Sequence, residues 1–170
     1  MKPEDLFCFY PSPARFFYAS DKPVAELGFV EQLTVWALRV QWPLTGDRGR
    51  RHALLQRTFH LLQVPEGGAL ITAIVEALRT TTSRPLSVPC PGWRVLTSDE
   101  ARLLSFLAAL QQREGTPLAA CEPEWRTGEQ GTAIWQPAQR LALAFAAAGL
   151  HFGTARLAEQ PTPLSHASLH

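Results

Sequence analysis

Cys90 stands between Pro89 and Pro91, with Arg84 and Arg94 close by in the chain, and is the sharpest single candidate for chemistry. A thiolate on a stiff loop beside arginine can have a lowered pKa, and a Cys-Pro pair can place sulfur on haem iron. Neither arrangement is complete here. No partner histidine lies nearby in sequence, and the dipeptide alone specifies no haem site. A structural, half-buried thiol packed as a small hydrophobe is the reading the residues favour. The competing reading is a small-molecule or cofactor pocket with Cys90, Trp93 and Arg94 at its mouth, and no particular cofactor is implied.

The one basic cluster is Arg48-Gly49-Arg50-Arg51-His52, with Arg57 further along. It falls at the start of a predicted helix, where unpaired backbone N–H groups favour anions. The helices on either side of Val64-Pro65-Glu66-Gly67-Gly68 have the outline of a helix-turn-helix. That outline makes a DNA-associated regulator, acting through Arg48, Arg50, Arg51 and Arg57, a third reading. The second helix of the pair offers a groove only Glu76, Arg79 and threonines, whereas base readout needs Arg, Lys, Asn or Gln. A formal net charge of +1 over 170 residues also lacks the basic excess that duplex binding demands. Nucleic acid is therefore not the expected partner. A phosphate or an acidic protein suits these arginines better.

Other reaction chemistry is not spelled out. His52 and His60 lie two helical turns apart, whereas helical metal ligands sit one turn apart with a carboxylate close by. His166 and His170 fall in the C-terminal tail and form no preorganised cage. Glu122 and Glu124 flank Pro123, yet nothing near them supplies a second catalytic role. There is no Gly-x-Ser-x-Gly turn, and Glu66-Gly67-Gly68 lacks the further glycines and the lysine of a P-loop. No catalytic residue, metal site or cofactor is expected, and an enzyme is the less favoured reading.

The elements that must hold these residues are helices. Residues 85–100 form a connector in which Pro85, Pro89 and Pro91 exclude a helix. It closes on Thr97-x-x-Glu100, a capping box that starts a helix over 98–113 with Leu103, Phe106, Leu107 and Leu110 on one face. An earlier helix is predicted from near Asp21, with Pro23 in its first turn, to Pro43. Phe29, Leu33, Trp36, Ala37 and Val40 share a face there, widened by Leu27, Val30 and Leu38. Two shorter helices, over 50–62 and 69–80, flank a break at Pro65-Glu66-Gly67-Gly68. Their inward sets are Leu54, Leu55, Phe59 and Leu62, then Leu70, Ile71, Ile74, Val75 and Leu78. Thr116-Pro117 opens a turn or two that Pro123 ends. A last helix over 136–149 has no polar residue from Leu141 to Ala148, which predicts burial on every side.

At 170 residues, 46% hydrophobic and 18% charged, the chain reads as a single globular domain over 1–158 and a flexible tail over 159–170. Phe7, Phe9, Tyr10, Phe16, Phe17 and Tyr18, broken by Pro11 and Pro13, predict an extended aromatic arm over 1–20. The fold class is all-α: a compact orthogonal or mixed bundle of five to six helices, with that arm and at most one short β ribbon. Cys8, Cys90 and Cys121 form no disulfide framework, which suits a reducing cytoplasm. Met1-Lys2-Pro3-Glu4-Asp5 does not read as a signal peptide, and 141–150 is too short to span a bilayer. The leading expectation is a non-catalytic cytoplasmic interaction or regulatory protein that acts as a homodimer. Its basis is the missing catalytic constellation, two helices apolar beyond one face, and the aromatic arm.

Overall fold

Five α-helices make up the body of the computed structural model, which describes residues 18–82, 84–112 and 133–153. They are α1 (Phe29–Gln41), α2 (Arg48–Leu61), α3 (Gly67–Thr81), α4 (Ser98–Gln112) and α5 (Trp135–Ala147). The chain is all-α in class, and no helix among the described residues is long and apolar enough to cross a membrane. Most of the aromatic arm, the turn after Thr116, Cys8, Cys121, Glu122, Glu124 and the tail lie outside the described residues.

The first helix begins later than the sequence predicts. Asp21 has a left-handed φ of 65°. The backbone around it is tied to the end of the connector: Asp21 N–H donates to the Leu96 carbonyl, Leu96 N–H to Lys22, and Val24 N–H to Arg94. Pro23 and Val95 form an isolated antiparallel bridge, and neither segment extends into a strand. Backbone groups used in that pairing are not free for a helical ladder. A 3-10 turn, Val24–Glu26, and an extended Gly28 therefore precede α1.

Once formed, α1 is nearly surrounded. Val30, Leu33, Val35, Ala37 and Leu38 are buried, and so are the polar Glu31, Thr34, Arg39 and Gln41. Most of the apolar surface read from the sequence is covered from within the domain, but Phe29, placed on the inward face by its spacing, is exposed. Helix α3 packs on α1 and α5, and α4 packs on α5 and α1, so these four close a ring. Helix α2 lies outside it against α3 and α1.

Two Schellman motifs stop helices where the ring needs corners. At the end of α2, Gln63 N–H donates to His60 and Val64 N–H to Phe59, with Gln63 left-handed at φ 60°. At the end of α5, Gly149 N–H donates to Ala146 and Leu150 N–H to Phe145, with Gly149 at φ 73°. The glycine pair after Pro65 is no break: Gly67 and Gly68 form the first turn of α3. A Cβ at Gly67 would collide with the Phe59 ring, and one at Gly68 would come within 3.1 Å of the Gln56 backbone. Glycine lets α3 start directly against α2.

The predicted inward set of α3 is buried throughout. In α2, Leu55 and Phe59 are buried, whereas Leu54 points outward. In α5, Leu141, Ala142 and Phe145 are buried, but Leu143 and Ala147 are exposed. An outer member of a ring has a solvent side, and mostly alanine lines it at little apolar cost. The Phe145 ring joins two halves of the core, 6.1 Å from Phe59 and 5.8 Å from Phe152.

Candidate functional site

The connector is held from beneath by Arg39, in the last turn of α1. Its Nε donates to Glu100 Oε1 at 2.7 Å, and Nη2 donates to Glu100 Oε2 at 2.8 Å and to the Val95 carbonyl at 2.9 Å. Nη1 donates to the Trp93 carbonyl. Four of the five guanidinium N–H groups are thus used. The side chains of Arg39 and Glu100 are each 1% exposed. A fork-to-fork pair of this kind fixes direction as well as distance.

Glu100 has a second task. Its Oε2 accepts the Thr97 N–H at 3.0 Å, while the Thr97 hydroxyl oxygen accepts the Glu100 N–H at 3.2 Å. This is the capping box read from the sequence. The Thr97 hydroxyl then donates to the Ser87 carbonyl at 2.7 Å, tying the two ends of the connector together. Asp99 completes the clamp by accepting two bonds from Arg84, at 2.6 and 3.1 Å, and one from the Ser87 N–H at 2.8 Å. Burial pushes the Asp99 carboxyl up, but Arg84, the Ser87 N–H and the more distant Arg102 outweigh it, and the net shift is downward.

Above this clamp the chain turns sharply. The Trp93 N–H donates to the Cys90 carbonyl at 3.0 Å, with Pro91 and Gly92 at the turn's centre. Cys90, Pro91, Gly92, Trp93 and Arg94 are all exposed, and the Trp93 side chain shows 53% of its surface. The sequence-predicted trio Cys90, Trp93 and Arg94 therefore shares one projecting turn. Cys90 is an exposed thiol rather than a half-buried one.

An open cleft lies beside the first residues of the connector. It has a volume of about 400 Å³ and is lined by Trp42, Arg79, Thr82, Arg84, Pro85 and Leu86. Cys90, Trp93 and Arg94 take no part in it. The Arg79 guanidinium lies 5.4 Å from the Trp42 ring centre, donates to the Trp42 and Gln41 carbonyls, and pairs with Glu76 at 3.1 Å.

The arginines of α2 serve different ends. Arg48 pairs with Glu76 at 2.6 Å, and Arg51 donates to the Thr45 and Pro43 carbonyls, bracing the loop before the helix. Arg50 and Arg57 face solvent. Asp47 caps α2 by accepting the Arg50 N–H at 2.9 Å. His52 and His60 are exposed, and among the described residues no three His, Cys, Asp or Glu side chains gather as a metal site requires.

A second polar cluster lay beyond sequence reasoning. The Tyr18 hydroxyl donates to Glu31 Oε1 at 2.7 Å, the Gly153 N–H donates to the same oxygen, and the Tyr18 N–H reaches Ser105 Oγ at 3.3 Å. Glu31 is buried, in the first turn of α1 where the helix dipole favours its charge. Its Oε2 has no hydrogen-bond partner among the described residues and abuts Gly28, where a Cβ would come within 2.5 Å of it. Burial, then the bond to Glu31 and its charge, push the Tyr18 phenol well above its ordinary value. Residues at 18, 31 and 153 have no common sequence pattern. Only an acid within a predicted core helix hinted at the cluster.

Compared with known protein families, curated proteins and solved structures, the chain has no match in any of the three.

Proposed function

We propose that this domain is a non-catalytic interaction module of the cytoplasm that pairs with a second copy of itself through the turn carrying Cys90, Trp93 and Arg94. One observation carries the reading: a fully buried arginine, Arg39, holds the carbonyls of Trp93 and Val95 while the Trp93 side chain stays exposed. Burying a guanidinium and a carboxylate is costly. Its effect here is to fix the shape of a surface turn. A turn fixed in advance loses little entropy on binding, and tryptophan and arginine are the side chains most enriched where binding energy concentrates.

An exposed, unpaired Cys90 suits a reducing compartment. The α2 arginines lend less support to a DNA-associated regulator. Arg48 and Arg51 have protein acceptors, and over 67–80 of α3 the exposed residues are Ala69, Ala73 and Thr80.

Sedimentation velocity of the full chain at low micromolar concentration tests the proposal. The wild type is expected as a dimer and Trp93→Ala as a folded monomer. A wild-type monomer, or a dimer unaffected by Trp93→Ala, overturns it.

A further inference from the structure

We infer that the cleft between the ends of α1 and α3 and the start of the connector binds a small flat anion, an aromatic ring bearing one carboxylate or phosphate. Its volume, about 400 Å³, gives room for a small ring system in a cleft open to solvent. The apolar wall is the half-buried Trp42 indole with Leu86 and Pro85. Such a wall takes the face of a ring.

The charge comes from Arg79. Its guanidinium is held against Trp42 by two backbone carbonyls, so it is already oriented before a ligand arrives. Its Nε–H and one Nη1–H have no acceptor among the described residues. The single carboxylate beside it, Glu76, is shared with Arg48, at 3.1 and 2.6 Å, so this rim keeps one positive charge in excess. Arg84, on the connector side, is already paired with Asp99 and leaves this excess unchanged.

Two helices end at this cleft, and bare C-terminal carbonyls would repel an anion. At the end of α1, Arg79 holds those of Gln41 and Trp42. The incoming group meets guanidinium and indole instead.

Titration calorimetry of the full chain with 2-naphthoate, 2-naphthyl phosphate and the neutral 2-naphthylmethanol tests the inference and separates carboxylate from phosphate ligands. At least one anion is expected to bind saturably, with the alcohol roughly tenfold weaker or worse. Glu76→Gln removes the competing carboxylate from a partly exposed position and is expected to tighten anion binding roughly three- to fivefold. Leu86→Glu is expected to abolish it. The inference is overturned if neither anion binds, if the alcohol binds as well as the anions, or if Glu76→Gln leaves the affinity unchanged.

Discussion

Arg39 and Glu100, 61 positions apart, meet in a fully buried two-point ion pair that connects the last turn of α1 to the first turn of α4. The same guanidinium reaches two carbonyls of the connector, so one side chain sets both the helix packing and the course of residues 93–95.

Removing one partner leaves the other charged and dry. Arg39→Met is expected to cost about 3–5 kcal/mol of unfolding free energy, because Glu100 and two carbonyls lose their donor together. Arg39→Met combined with Glu100→Gln is expected to cost less than the sum of the two single changes. Urea unfolding of the three variants measures this, and strict additivity would show that the pair is uncoupled.

Asp99 confers an acid dependence. Its folded pKa lies below the ordinary 3.8, so its contribution to stability is present above that value and lost as pH falls through the lower folded value. Arg84→Gln removes the main cause of the depression. The variant is expected to lose less stability than wild type between neutral pH and this acid range, as read from urea midpoints across pH.

Tyr18 responds at the other end of the scale. A raised phenol pKa means stability present below the ordinary 10.0 and lost as pH rises above it toward the folded value. In a Tyr10→Phe background Tyr18 is the one remaining tyrosine, since the chain has two. Absorbance of that variant at the phenolate band is expected to stay flat past the ordinary value and rise only as the helical signal is lost. Titration as an ordinary phenol in folded protein would contradict the buried bond to Glu31.

Gln63 carries a backbone conformation that suits glycine. Its left-handed φ at the end of α2 strains any side chain with a Cβ, and its own side chain is exposed. Gln63→Gly is expected to raise stability by roughly 0.5–1 kcal/mol, read as a higher melting temperature. A loss would mean that the turn is held by contacts of the glutamine itself.

Local rules made much of this fold legible. The capping box at Thr97 and Glu100, the apolar face of α3 and the stop at Gly149 each depend on neighbours a few residues away. What escaped depends on distant groups. The start of α1 is set by pairing between 21–24 and 94–96, and the role of Gly67 by the Phe59 ring across the helix crossing. Burial on all sides of 141–148 does not follow from composition once α5 lies at the edge of a ring. The projecting turn was visible in its prolines, but nothing local to Arg39 marks it as the residue that holds it. Nor does sequence separate the exposed face of that turn from the cleft at 84–86.

The direct test of the central claim is the sedimentation coefficient of the full chain with and without the Trp93 side chain. A dimer that becomes a folded monomer in Trp93→Ala is the predicted result. A wild-type monomer, or a dimer that persists in the variant, contradicts it.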